Sequence, residues 1–191
     1  MSARVRRAAG TTVPVALLLY AGCRWLDGRD HHHGPGLWWN LGHAAFLATW
    51  VGFAILAVAM ARPSRPSGRA RGAGIATLAG IGAFTWVTLT DLFPGLPDLP
   101  DPLRLVGPLL FLGGLVTLLA VTARAQQHRR WWAFPLLALA ATLTVSANLD
   151  LLPVSAVLFG AALLPAWRYR RQAPTGANAP AKERSASGAT R

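Results

Sequence analysis

Charged side chains are scarce in this chain. They make up 14% of its 191 residues, against about 25% in soluble domains. Acids number seven, and Lys182 is the one lysine, so the excess of positive charge is carried almost wholly by arginine. A single cysteine, Cys23, excludes an internal disulfide. No GxSxG elbow, Gly-rich phosphate loop, CxxC, HExxH or HxxxH spacing occurs, so the sequence signals for a serine hydrolase, a phosphate-loop nucleotide site and a motif-type zinc centre are all missing. What fills the space is apolar: 53% of the residues, gathered in blocks, with eight tryptophans, several at block edges where interfacial anchors sit. The length fits one domain.

A bilayer core needs about 20 mostly apolar residues per helix. Six blocks meet or approach this: roughly 10–26, 37–61, 73–93, 103–123, 131–149 and 151–168. The expectation is an all-α, multi-pass cell-membrane protein of bacterial type. Its six spans, arranged as three helical hairpins, occupy residues 1–171, and 172–191 form a cytoplasmic tail. Arginine placement sets the orientation. The N-terminus, the loops after the second and fourth blocks and the tail hold 16 of the 19 basic residues. The alternate segments hold Arg24, Arg29 and Arg104 with six of the seven acids. Both termini are then cytoplasmic. Because the basic residues are dealt out between apolar blocks and do not share one soluble face, the net charge of +12 predicts no nucleic-acid partner. The expected partners are the bilayer and, at the basic loop 62–71, anionic lipid head groups. A rival reading of the first block is a lipoprotein-type signal ending at Cys23, with Tyr20 where a leucine is usual and apolar character continuing to Leu26.

The hairpins show a parallel repeat. Blocks one, three and five end in Asp27, Asp91 and Asp150, the last two within Asp-Leu-Phe-Pro and Asp-Leu-Leu-Pro. The returning blocks carry a small residue four positions before a phenylalanine: Gly42 and Phe46, Gly107 and Phe111, Ser155 and Phe159. Small residues at such places let helices approach closely.

Chemistry-bearing residues concentrate between 27 and 50. Helical spacing groups Tyr20, Arg24 and Asp27; Thr85, Thr88 and Asp91; Thr142, Ser146 and Asp150; and Trp39 or Asn40 with His43 and Trp50. Polar groups facing lipid are costly, so these stripes are expected to face inward and converge on an outward-opening pocket. His43 lies about 9 Å down its helix, with Asp27, Asp91, Asp150 and Asn40 as the companions expected for a proton, ion or small polar solute. The bland alternative is an interfacial histidine bonded to a backbone carbonyl or water. Asp30, His31 and His33 form a second candidate, a loop site for a divalent metal ion such as Zn²⁺ or Cu²⁺; its bland alternative is a solvated loop. The tail from Gln172 is Ala, Pro, Ser, Gly and charge, a composition expected to be disordered. Asp101-Pro102 reads as an N-cap followed by proline at the first helical position.

The segment Leu26-Asp27-Gly28, His33-Gly34-Pro35-Gly36, Trp39 and Gly42-His43 resembles small uncharacterised actinobacterial integral membrane proteins. The resemblance covers helices one and two, about a quarter of the chain, and implies a six-helix fold with no assigned activity. Membrane hydrolases that place His and Asp around an outer-face metal are a more distant comparison, and their paired histidines on a late helix are missing here. Three functions follow as alternatives: a pocket protein for transport or sensing, a structural or partner-binding bundle, and an outer-face metal-dependent hydrolase.

Because the tail has too few apolar residues to offset its ordering entropy, a chain truncated after Arg171 should insert and accumulate as the full chain does. Membrane fractions blotted for the two forms provide the check, and loss of the truncated form would contradict the reading.

Overall fold

The computed structural model describes residues 2–29, 34–62 and 68–168. The loop candidates Asp30, His31 and His33, residues 63–67 of the basic loop and the tail from 172 lie outside them. The described residues are all helical, without a strand. Four helices of equal length come first: α1 Ala3–Asp27, α2 Leu37–Ala61, α3 Gly68–Leu92 and α4 Asp101–Ala125, each of 25 residues. Shorter pieces follow: α5 Ala133–Ala147, a 3-10 turn Leu149–Leu151, α6 Leu152–Ala162 and α7 Leu164–Arg168.

Local chemistry explains most boundaries. The Ser2 hydroxyl accepts from the Val5 N–H at 3.3 Å and starts α1. The Asn148 side chain accepts from the Asp150 N–H at 2.8 Å, stapling the tight turn between α5 and α6. Two expectations need correction. The cap expected at Asp101 falls at Pro100, so Asp101 is the first helical residue, with its carboxylate at the positive end of the helix dipole. The span expected over 151–168 is broken at Leu163, because Pro165 has no N–H to continue the ladder. By length and composition, α2, α3 and α4 can each cross a membrane; α5 and the Leu149–Ala162 segment are shorter apolar helices.

The most extensive contacts are within the consecutive pairs α1–α2, α3–α4 and α5–α6, as three hairpins require. Each helix also packs on the next, and α6 returns to α1, so the six main helices close a ring. Large apolar side chains fill it: Phe53, Leu56, Leu115, Leu118, Leu119 and Phe159 are buried together. An aromatic layer runs across its middle. Trp50 stacks on Phe84 at 4.5 Å and meets Phe111 edge-on at 5.4 Å; Phe53 meets Phe111 and Phe159, each at 5.1 Å.

The small residues of the repeat lie against the preceding helix in every hairpin. A Cβ on Gly42 would come within 3.2 Å of Cys23 and Tyr20, and one on Gly107 would reach Ala83 at 2.5 Å. Ser155 occupies the third such place and donates to the Ala141 carbonyl at 2.7 Å. Deeper in the membrane direction, Gly52 sits over Ala9 and Val13, and Gly114 over Ala73 and Thr77. Those partners stand at matching distances before Asp27 and Asp91, so the first two hairpins share a close-approach geometry.

These glycines give the clearest stability test. A Cβ at Gly114 would lie 2.6 Å from the Ala73 carbonyl oxygen, whereas the adjacent Gly113 faces open space. Gly114→Ala should therefore lower stability by about 1–3 kcal/mol, the usual cost of overpacking. Gly113→Ala should leave it unchanged or slightly raised, since alanine is the better helix former. Thermal unfolding of the two variants in detergent measures the difference.

Candidate functional site

His43 is the seventh residue of α2, and Asp91 is one residue from the end of α3. The antiparallel packing of these helices brings the first half of α2 to the last turn of α3. There His43 Nε2 lies 3.5 Å from Asp91 Oδ2. The histidine side chain is 6% exposed and the aspartate 47%, so the pair has a dry member and a wet one.

The other ring nitrogen decides the chemistry. His43 Nδ1 is 2.9 Å from the Trp39 carbonyl one turn earlier. A carbonyl can only accept, so Nδ1 carries its hydrogen. Nε2 then meets Asp91 either as a bare lone pair or as a second N–H. A lone pair facing a carboxylate is repulsive. The contact becomes attractive when one proton lies between the two groups, on the imidazole or on the carboxyl.

Aromatic rings enclose the imidazole. Trp39 tilts over it at 4.2 Å, and Tyr20 of α1 presents an edge at 5.9 Å. Beneath it, Tyr20 stacks on Phe46 at 4.7 Å and Phe46 meets Trp50 at 5.0 Å. Towards α1 the space beside His43, lined also by Arg24 and Asp27, is about 10 Å³, room for about one water. On the far side of Asp91 a cleft of about 340 Å³ opens between α3, α4 and the proline-rich connection, with Thr90, Asp98 and Arg104 in its wall. That connection is pinned down: Trp86 Nε1 donates to the Pro97 carbonyl at 3.0 Å, and Arg104 bonds both the Leu99 carbonyl and Asp98 at 3.0 Å.

The sequence-derived residues therefore separate. His43 and Asp91 are in contact, and Asp27 lines the small space beside His43. Asn40 is exposed and does not join them; Trp39 is the member of that pair of alternatives that does. Asp150 is also exposed and opens on a different cleft, between α1 and the α5–α6 turn. Ser146 is exposed, so the α5 stripe does not converge. Thr88 is buried, but its hydroxyl is spent on the Phe84 carbonyl at 2.8 Å. Among the described residues no group of three or more His, Cys, Asp or Glu forms a metal cluster. Sequence reasoning missed the Asp98–Arg104 pair, although two opposite charges flanking the start of a helix after Pro-Asp-Leu-Pro were a usable signal.

No family model matches the chain, and neither a curated protein nor a solved structure matches it.

Proposed function

We propose that the chain is a six-crossing cell-membrane protein of bacterial type, with both termini cytoplasmic and a proton-holding His43–Asp91 pair in its outer half. The single observation behind the site is the bond from His43 Nδ1 to the Trp39 carbonyl, which leaves Nε2 and the Asp91 carboxylate to share a proton. The cleft beside Asp91 gives that proton, or a small polar solute, an entry. The aromatic layer of Phe46, Trp50, Phe53 and Phe111 beneath His43 is apolar and closely packed, which supports sensing at the site over conduction through the bundle. The six-crossing topology rests on the 16-to-3 division of basic residues and on the ring of hairpins. The run of α1 through Cys23 to Asp27, packed on α2, supports a retained first helix over a cleaved signal. Anionic head groups at the cytoplasmic basic segments are the expected lipid contact.

A structural bundle is the second reading, favoured by the fact that His43 finds both its partners inside the protein. Metal-dependent hydrolysis gains no support from His43, since both of its nitrogens are engaged.

Two outcomes follow. In nitrogen NMR of protein labelled at histidine, His43 should show Nδ1 protonated, as its bond to the Trp39 carbonyl requires, and its Nε2 signal should move in Asp91→Asn. An Nε2 signal unchanged by that substitution, together with a lowered unfolding temperature for His43→Gln, would leave the structural reading. For orientation, His32→Cys and Pro180→Cys in a Cys23→Ser background should label from outside and from inside respectively; the reverse pattern would invert the topology.

A further inference from the structure

A second cleft, of about 530 Å³, lies on the opposite side of α1, between its last turns and the α5–α6 turn. Its walls differ from top to bottom. Arg24, Arg29 and Asp150 contribute charge, and Leu18, Ala21 and Pro153 contribute apolar surface. Arg24 and Asp150 share the cleft without forming an ion pair, and Arg24 Nε is buried with no hydrogen-bond partner. A guanidinium N–H without an acceptor is costly to bury, and a planar fork of donors fits phosphate oxygens. Below Leu18, the α1 face carrying Val15, Leu18 and Leu19 is exposed and continuous with the apolar part of the cleft. Trp25, 68% exposed and covered by the Arg29 guanidinium at 5.2 Å, stands at the rim.

The geometry points to a bound zwitterionic phospholipid carrying a primary ammonium, that is, a phosphoethanolamine head group. Its phosphate takes hydrogen bonds from the Arg24 and Arg29 guanidiniums. Its ammonium takes the Asp150 carboxylate, which would repel a purely anionic head. One acyl chain lies along Val15, Leu18 and Leu19. The charges are matched two to one on the protein and one to one on the lipid, so the head is held at both ends. A choline head presents no N–H to Asp150, and a glycerol head presents no cation. Arg24 also borders the small space beside His43, but the lipid site needs no proton exchange by the His43–Asp91 pair.

Native mass spectrometry of the purified full chain, titrated with defined lipids, tests this. Phosphatidylethanolamine should be retained in preference to phosphatidylcholine and phosphatidylglycerol of the same chains. Arg24→Gln with Arg29→Gln should weaken its retention about tenfold or more, as expected when charge-assisted bonds are lost. Asp150→Asn should abolish the preference over phosphatidylglycerol while lipid still binds. Arg24→Lys, which keeps the charge, should retain a substantial part of the binding and shows that loss in the double variant is not loss of fold. Equal retention of all three lipids by the wild type would overturn the proposal, as would an unchanged preference in Asp150→Asn. Displacement of the lipid by millimolar inorganic phosphate would make the site one for free phosphate instead and would also overturn it.

Discussion

Inside an apolar bundle, every polar group has to find its partner within the protein, and that requirement organises this structure. Three of the buried threonines meet it locally. Thr49, Thr77 and Thr88 each turn their hydroxyl back to the carbonyl four residues earlier. Ser155 meets it across helices by bonding to Ala141, which joins α6 to α5 as it satisfies the hydroxyl. His43 cannot be satisfied by one partner, because its ring has two nitrogens on opposite edges. The helix supplies an acceptor for one, and the other has to be met from α3. Asp91 is placed to do this only because α2 and α3 pack antiparallel, with the start of α2 level with the end of α3. The pair is thus a product of the hairpin architecture as much as of the two residues.

That architecture depends in turn on backbone approach. At Gly80 and Gly114 there is no room for a Cβ without moving the facing backbone, so α3 and α4 pack by main-chain contact. The matching seats of Gly52 on α1 and Gly114 on α3 tie the first two hairpins to a common plan. The third hairpin departs from it: α5 is shorter, and its returning helix breaks before Pro165.

Much of this was legible in the residues. The order of hairpins followed from the spacing of apolar blocks, and the partnership of His43 with Asp91 followed from helical periodicity and the cost of a charge facing lipid. Height along the bundle axis was therefore readable; rotation about each helix axis was less so. Trp39 and Asn40 differ by one residue, about 100° of rotation on a helix of 3.6 residues per turn, and periodicity left both open. Asp150 lies at the end of the bundle where α1 ends, yet α5 turns its Ala138 and Ala141 face to the core and the aspartate opens on another cleft. Which face of a helix rich in Ala and Leu becomes the buried one is decided by packing against neighbours, and no pattern within the helix records it. Arg24 and Arg29 gave no hint of a shared cleft with Asp150, because more than a hundred residues of chain separate them.

The unequal helix lengths have a mechanical consequence. Four helices of 25 residues are each about 37 Å long, while the 15 residues of α5 make about 22 Å. The hydrocarbon thickness is about 30 Å. Were all six helices to cross a bilayer, one flank of the ring would exceed it and tilt, and the other would fall short. Lipid beside α5 and α6 would be drawn thin while lipid around α2 to α4 would be stretched. Such a thickness gradient around the circumference would favour shorter acyl chains, or a neighbouring protein of similar stature, along the short side.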